Sequence, residues 1–279
     1  MVISYYDRRP VDDLYQLFNT IGEQAAGIDF NICVVVNSTS DARLNLDIGI
    51  PIQVLYRSNL GMNIGAWDYG WRTYPAYDDY LFLQDECYIV RENWLDAFRR
   101  RGEELGVGMV GESMNQSWDR SWADLRRQQE GVVLPDHVID GKGVNRVDYY
   151  LKFLHDAGIE PGLGGRHLRA LVWYFRGDVL SRIGGFPQGC NYPECIASEI
   201  GVSKRVEGLG LRVEQLDDEP FRYICHREWN QDHPGAPFTH SSTIKRRIDQ
   251  LENPSWRMLG RMFARKLSNS VRGGGERRP

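Results

Sequence analysis

Two adjacent acids, Asp85 and Glu86, end the apolar run Tyr80-Leu81-Phe82-Leu83. The run reads as a buried strand. A second short apolar piece, Tyr88-Ile89-Val90, follows it, and Asn93-Trp94-Leu95 then opens a helix-like segment. Open α/β sheets place ligands at the carboxyl ends of central strands. A pair of carboxylates there can hold a divalent cation, and the cation can hold a diphosphate. Side chains of adjacent residues diverge on a strand, so one acid is expected to meet the ion directly and the other through water. The competing reading is two solvated acids in a turn.

The elements needed to position such a pair can be read around it. Val2–Tyr6 reads as a first strand. Leu14, Leu17, Phe18 and Ile21 have helical spacing after the turn Asp7-Arg8-Arg9-Pro10. Ile32–Val36 is a continuous apolar run ending in the polar loop Asn37-Ser38-Thr39-Ser40, which predicts a buried parallel strand. Ile52–Tyr56 predicts a third strand, 63–74 a helix and 80–83 a fourth strand. This is an α/β pattern with a mostly parallel sheet. Residues 112–165 break the pattern with two predicted helices, 122–129 and 147–157, and read as an insertion shaping a substrate cleft. Strand character returns at 171–176. A helix over 196–207 and a last strand at 211–213 follow.

The chain has 279 residues, 42% hydrophobic and 26% charged, which suits a soluble protein with a real core. No apolar run approaches a membrane span, and nothing at the start reads as a secretory leader; a cytoplasmic protein is expected. Five cysteines without a CxxC pair argue against a zinc cluster or a disulfide framework. The net charge is −4, yet from Ser241 onward ten Lys/Arg face three acids. An acidic body with a basic arm suggests that the arm touches something anionic.

Six pieces stand in an order that resembles GT-A-type nucleotide-sugar glycosyltransferases, above all the family-2-like group. Ser4-Tyr5-Tyr6-Asp7-Arg8 is similar to that group's first-strand TYNR ending, and Val35-Val36-Asn37-Ser38-Thr39-Ser40-Asp41 occupies the place of its VDDGSTD. Ser58-Asn59-Leu60-Gly61 resembles the N-x-G loop, and Gln84-Asp85-Glu86 stands where the DxD metal motif lies. Phe175-Arg176-Gly177-Asp178 with Ile183-Gly184-Gly185-Phe186-Pro187 is similar to the acceptor-side R…GGF segment. Ser198-Glu199, ahead of Arg205 and Gly210, resembles ED-x-x-L-x-x-R-x-x-x-x-G. The likeness covers roughly residues 1–215. Three departures stand out: Val36 and Asn37 replace the second-strand acids, QDE replaces DxD, and SE replaces ED.

The resemblance implies a Rossmann-like GT-A domain over residues 1–240, and by their own composition residues 241–279 read as a basic amphipathic helix and a disordered tail. It implies Asp85 and Glu86 as ligands of Mn2+ or Mg2+, with His226 reaching the metal or the diphosphate. Asp7, Arg8, Asn37 and Asn59, in loops at strand ends, would meet the nucleotide alongside Asp85. Glu199 would be the general base that takes the acceptor's proton, with Glu194 as its competitor on the acceptor side. Trp173, just before the GGF turn, would form an acceptor wall. Each has a plainer alternative: turn chemistry for Asp7 and Asn59, a solvated cation for Arg8, a first-turn helix acid for Glu199, and core packing for Trp173.

The activity implied is transfer of a sugar from a nucleotide-diphosphate donor to a glycan or lipid-linked acceptor, with inversion, in cell-surface polysaccharide biosynthesis. Trp256–Leu267 reads as a basic amphipathic helix suited to an anionic membrane surface, so a peripheral place at the inner face of the plasma membrane is expected. His233 and His240 lie in a Pro/Gly loop that reads as a lid. No base-reading motif points to nucleic acid. Two rivals stand: a nucleotidyltransferase, opposed by the glycine-free YDRRP after the first strand, and a non-catalytic sugar- or nucleotide-binding scaffold.

Overall fold

Continuous β-branched and aromatic runs require cover on both faces. The computed structural model, which describes residues 1–40, 43–46, 48–130 and 133–229, supplies it. The chain runs β1 (Val2–Tyr6), α1 (Asp12–Glu23), β2 (Ile32–Asn37), β3 (Ile52–Arg57), α2 (Met62–Thr73), β4 (Asp79–Gln84), β5 (Cys87–Ile89), α3 (Trp94–Glu103) and β6 (Val107–Gly111). It continues through α4 (Trp122–Gln128), β7 (Val133–Ile139), β8 (Lys142–Asn145), α5 (Arg146–Asp156), β9 (Val172–Arg176), α6 (Gly177–Ile183), α7 (Tyr192–Gly208), β10 (Arg212–Gln215) and β11 (Ile224–His226).

Seven strands form one sheet in the order β10-β6-β9-β4-β1-β2-β3. β1 pairs in parallel with β2 and β4, and β3 and β10 are parallel to their own neighbours. β9 alone runs against its partners, β4 and β6. This mostly parallel sheet with flanking helices is the Rossmann-like α/β architecture expected from the order of the elements. The reversed direction of β9 carries no signal in its apolar run Val172–Arg176, which buries on both faces like a parallel strand.

Alternate residues of each strand serve opposite layers. Ile3, Val34, Val36, Leu81 and Leu83 pack with Leu14, Leu17 and Phe18 of α1 and with Trp94 and Phe98 of α3. Val2, Val35, Tyr80, Phe82, Trp173 and Phe175 pack with Trp67 of α2, Leu180 of α6 and Val202 of α7. The expected helical excursion over 112–165 also holds a β7–β8 hairpin, which the sequence reading lacks. Its own core of Trp118, Leu125, Val147, Tyr150 and Leu154 closes against Ala197 and Ile200 of α7. The excursion is thereby attached to the helix that carries Glu199.

Chain order reverses its direction of travel at β1: β2 and β3 lie to one side and β4 to the other. In open sheets the crevice outside the carboxyl ends of such a pair of strands is the ligand position. Here it is bordered by the loops that follow β1 and β4. Asp41, the proposed lid histidines and the basic helix lie outside the described residues.

Candidate active site at the carboxyl edge of the sheet

Asp85 follows β4 directly, and its N–H continues the ladder by donating to Ser4 O at 3.1 Å. Both Asp85 and Glu86 are buried, at 3% and 4% exposure. Asp85 Oδ2 has no hydrogen-bond partner. A buried carboxylate oxygen without a donor is unusual, and a cation would satisfy it. Glu86 is turned to the protein: its Oε2 accepts from Arg9 Nη1 at 2.9 Å and lies 3.7 Å from His226 Nε2. Among the described residues no group of three His, Cys, Asp or Glu could hold a metal. Mg2+ uses one or two carboxylates and completes its shell with water and substrate phosphates, so the donor set fits a cation that arrives with a diphosphate, on Asp85 first.

His226 is brought to Gln84 and Glu86 because β11 pairs antiparallel with β5, His226 opposite Cys87. Its Nδ1 accepts the Glu228 N–H at 3.2 Å. The proton therefore sits on Nε2 and points at Gln84 Oε1, 3.2 Å away. Burial, with a contribution from the Arg9 charge, pushes its pKa down to about 3. Both ring nitrogens of His226 are engaged, Nδ1 by the Glu228 N–H and Nε2 by Gln84 Oε1.

The β1–β2 loop is organised by Asp7. Its carboxylate accepts from Ser38 Oγ at 2.8 Å, Thr39 N at 2.9 Å, Thr39 Oγ1 at 3.2 Å and Ser40 Oγ at 3.3 Å. Burial opposes ionisation, but these bonds win and lower the pKa. Arg8 is exposed, its Nε donating to Thr39 Oγ1 at 2.8 Å. Asn37 is corrected: it is buried, it donates to Met62 O at 3.0 Å, and it accepts from Arg57 Nη1 at 2.8 Å. It holds the Arg57–Met62 loop rather than facing a ligand. Asn59 lies in that loop, half-buried, and its carbonyl accepts from Met62 N at 3.3 Å.

Glu199 lies on α7, which begins at Tyr192 and not near 196. The earlier start follows from Asn191, whose side chain caps Glu194 N at 2.9 Å, and from Pro193 in the first turn. Glu199 is therefore mid-helix, and Glu194 is the first-turn acid. Glu194 Oε2 accepts from Cys190 N at 2.6 Å and its Oε1 from Tyr149 Oη at 3.3 Å. Capping accounts for it. Glu199 Oε1 accepts from Ala170 N at 2.7 Å, with His167 Nε2 3.9 Å away, and its side chain is 12% exposed. Burial pushes its pKa up to about 7, against the Ala170 bond and the Arg169 charge. Such a carboxyl is poised to exchange a proton near neutrality.

Trp173 is corrected as well. It is fully buried, with its ring centroid 5.1 Å from Trp67 and 5.6 Å from Phe186. It fills the core between β9 and α2 and offers no acceptor wall.

Sequence reasoning missed Glu112, directly after β6. Its Oε1 accepts from Ile224 N at 2.7 Å and Tyr223 N at 3.1 Å, and its Oε2 from Arg222 N at 3.0 Å. Burial pushes it up to about 8 against these bonds. The group fastens 222–224 and so places β11 and His226. The available signal was an acid ending an apolar run, as at Asp85. A surface depression of about 720 Å³ lies along α3 beside Arg91, Asn93, Arg100 and Tyr223. No candidate residue lines it.

No family model and no curated protein matches the chain. Among solved structures it is similar to the mannosyltransferase PcManGT from Pyrobaculum calidifontis in complex with GDP-Man and Mn2+, at 12% identity over 99% of this chain and 75% of that one, TM-score 0.46. It is also similar to the catalytic domain of Drosophila β1,4-galactosyltransferase 7 in complex with xylobiose, at 10% identity over 88% and 77%, TM-score 0.42. A CMP:2-keto-3-deoxy-manno-octonic acid synthetase complexed with CTP matches at 12% identity over 77% and 87%, TM-score 0.39. No described helix is long and apolar enough to cross a membrane.

Proposed function

We propose that this chain is a nucleotide-sugar glycosyltransferase that moves a sugar from a nucleotide diphosphate to a hydroxyl acceptor. One observation carries the reading. A near-neutral proton acceptor, Glu199, accepts from the Ala170 N–H, and Gln84, which bonds Ala170 O and Leu171 O, is followed directly by Asp85, a buried acid with an unpartnered oxygen.

Asp85 would hold Mn2+ or Mg2+ together with the donor's diphosphate. The ion would act as a Lewis acid on the departing phosphate oxygens. The Asp7-organised loop borders the crevice where the nucleotide would lie, and Asn59, in the loop after β3, would reach the nucleotide from there. Glu199, held by the Ala170 N–H, takes the proton of the acceptor hydroxyl. The hydroxyl oxygen bonds to the anomeric carbon, and the bond to the diphosphate breaks with its electron pair leaving on phosphate. Attack opposite the leaving group inverts the centre. A glycan or lipid-linked acceptor, a hexose as the sugar, a role in surface polysaccharide synthesis and a peripheral membrane position are the finer parts of this proposal.

The internal engagement of Glu86 and His226 favours one alternative, a nucleotide- or sugar-binding scaffold without turnover. Incubation with UDP-, GDP- and CMP-sugars and Mn2+ separates the two. Slow donor hydrolysis that disappears in Glu199→Gln or Asp85→Asn supports the transferase; nucleotide binding with no hydrolysis in the wild type supports the scaffold.

A further inference from the structure

The two halves of the candidate site belong to different parts of the chain. The acid pair follows β4, and Glu199 projects from α7 more than a hundred residues later. Between them lies the segment leading into β9. Ala170 is its fixed point. Its N–H donates to Glu199 Oε1 at 2.7 Å, while its carbonyl accepts from Asn63 Nδ2 at 2.8 Å and from Gln84 Nε2 at 2.5 Å. Gln84 N donates to Leu171 O at 3.2 Å. On the other side Gln84 Oε1 faces His226 Nε2 at 3.2 Å.

The direction of every bond in this relay is determined. The backbone N–H of Glu228 can only donate, so His226 Nδ1 accepts and Nε2 carries the proton. Gln84 Oε1 must then accept, which leaves its NH2 for the Ala170 carbonyl. That carbonyl can only accept, so both ends of the side chain demand the same amide orientation. A carboxylate cannot do this: it has no donor for Ala170 O and would set oxygen against oxygen.

We propose that Gln84 is a positioning residue, whose amide clamps the β11 turn to the Ala170 segment and thereby fixes the place of Glu199 relative to Asp85. The neutral amide at the head of Gln84-Asp85-Glu86 is a built device rather than a lost ligand. The catalytic part of this inference rests on the glycosyltransferase reading; the clamp itself does not.

The test uses the full chain with Gln84→Glu, which restores an acid, and Gln84→Met, which keeps length without hydrogen bonds. Hydrogen exchange is read on peptides covering 168–173 and 224–229, with 32–37 of β2 as an internal control. The clamp predicts faster exchange at the first two segments, about tenfold for the Ala170 amide, and an unchanged control in both variants. With any donor that the wild type turns over, kcat should fall about tenfold or more while the donor KM stays within about twofold. Gln84→Met carries the same readouts if Gln84→Glu does not fold. Unchanged exchange at 168–173 overturns the clamp. Tighter Mn2+–nucleotide binding in Gln84→Glu with kcat retained overturns the positioning role and makes Gln84 a displaced ligand. A wild type that turns over no donor defeats the glycosyltransferase reading, and exchange still decides the clamp.

Discussion

Replacing Glu199 by Gln should change how stability depends on pH as well as abolishing turnover. Burial raises the carboxyl from 4.5 to about 7 in the folded protein, so the folded state binds this proton more tightly than the unfolded state. The contribution to stability is complete below pH 4.5 and is lost as pH rises through about 7. At about 1.4 kcal/mol per pH unit, the loss reaches about 3 kcal/mol once the folded group is ionised. The amide introduced by Glu199→Gln does not titrate, and its carbonyl oxygen can still accept the Ala170 N–H. Urea unfolding at pH 5 and pH 8 isolates the effect, because every other group titrates in both proteins. Relative to the wild type, the variant should gain up to about 3 kcal/mol between these pH values, or about 1 M in urea midpoint. Transfer should meanwhile fall by about a hundredfold or more, with donor affinity retained. An equal stability difference at both pH values would refute the assigned burial of this carboxyl and, with it, the argument that it is a tuned base.

Trp173→Ala should cost about 3–5 kcal/mol in chemical denaturation, as a large core truncation does, and leave the acceptor KM of the surviving folded fraction unchanged. Gly65→Ala should destabilise the Arg57–Met62 loop, because a Cβ there would strike the Leu60 carbonyl and the Arg57 guanidinium; weaker nucleotide binding by calorimetry would register it. Asp7→Ala should loosen 38–40 and weaken nucleotide binding without altering hydrogen exchange in 168–173. Glu112→Ala should free the N–H groups of 222–224 and cost about 1–3 kcal/mol, with faster exchange confined to 221–229.

The elements whose residues speak to their own neighbours were legible. The run Ile32–Val36 and the spacing of Leu14, Leu17 and Phe18 gave β2 and α1 within a residue or two of their observed ends. Long-range pairing was not legible. β9 reads as a parallel strand because burial on both faces produces the same composition in either direction. Asp85 at a strand's carboxyl end was a local inference and held in place. Trp173 and Asn37 were misassigned because residue type does not say which face of a strand a side chain takes, and both are turned into the protein. Glu112 was not singled out and Gln84 was read only as a departure from DxD, since their partners, 222–224 for one and Ala170 and His226 for the other, become neighbours only in the fold.

The central claim is that Asp85 holds a divalent cation in company with a nucleoside diphosphate. Electron paramagnetic resonance of Mn2+ titrated into the protein tests it directly, with and without UDP, GDP or CDP. The account predicts protein-bound Mn2+ with at least one of these nucleotides, little without them, and loss of the bound signal in Asp85→Asn. Bound Mn2+ that is indifferent to Asp85→Asn, or no bound Mn2+ with any nucleotide, would contradict it.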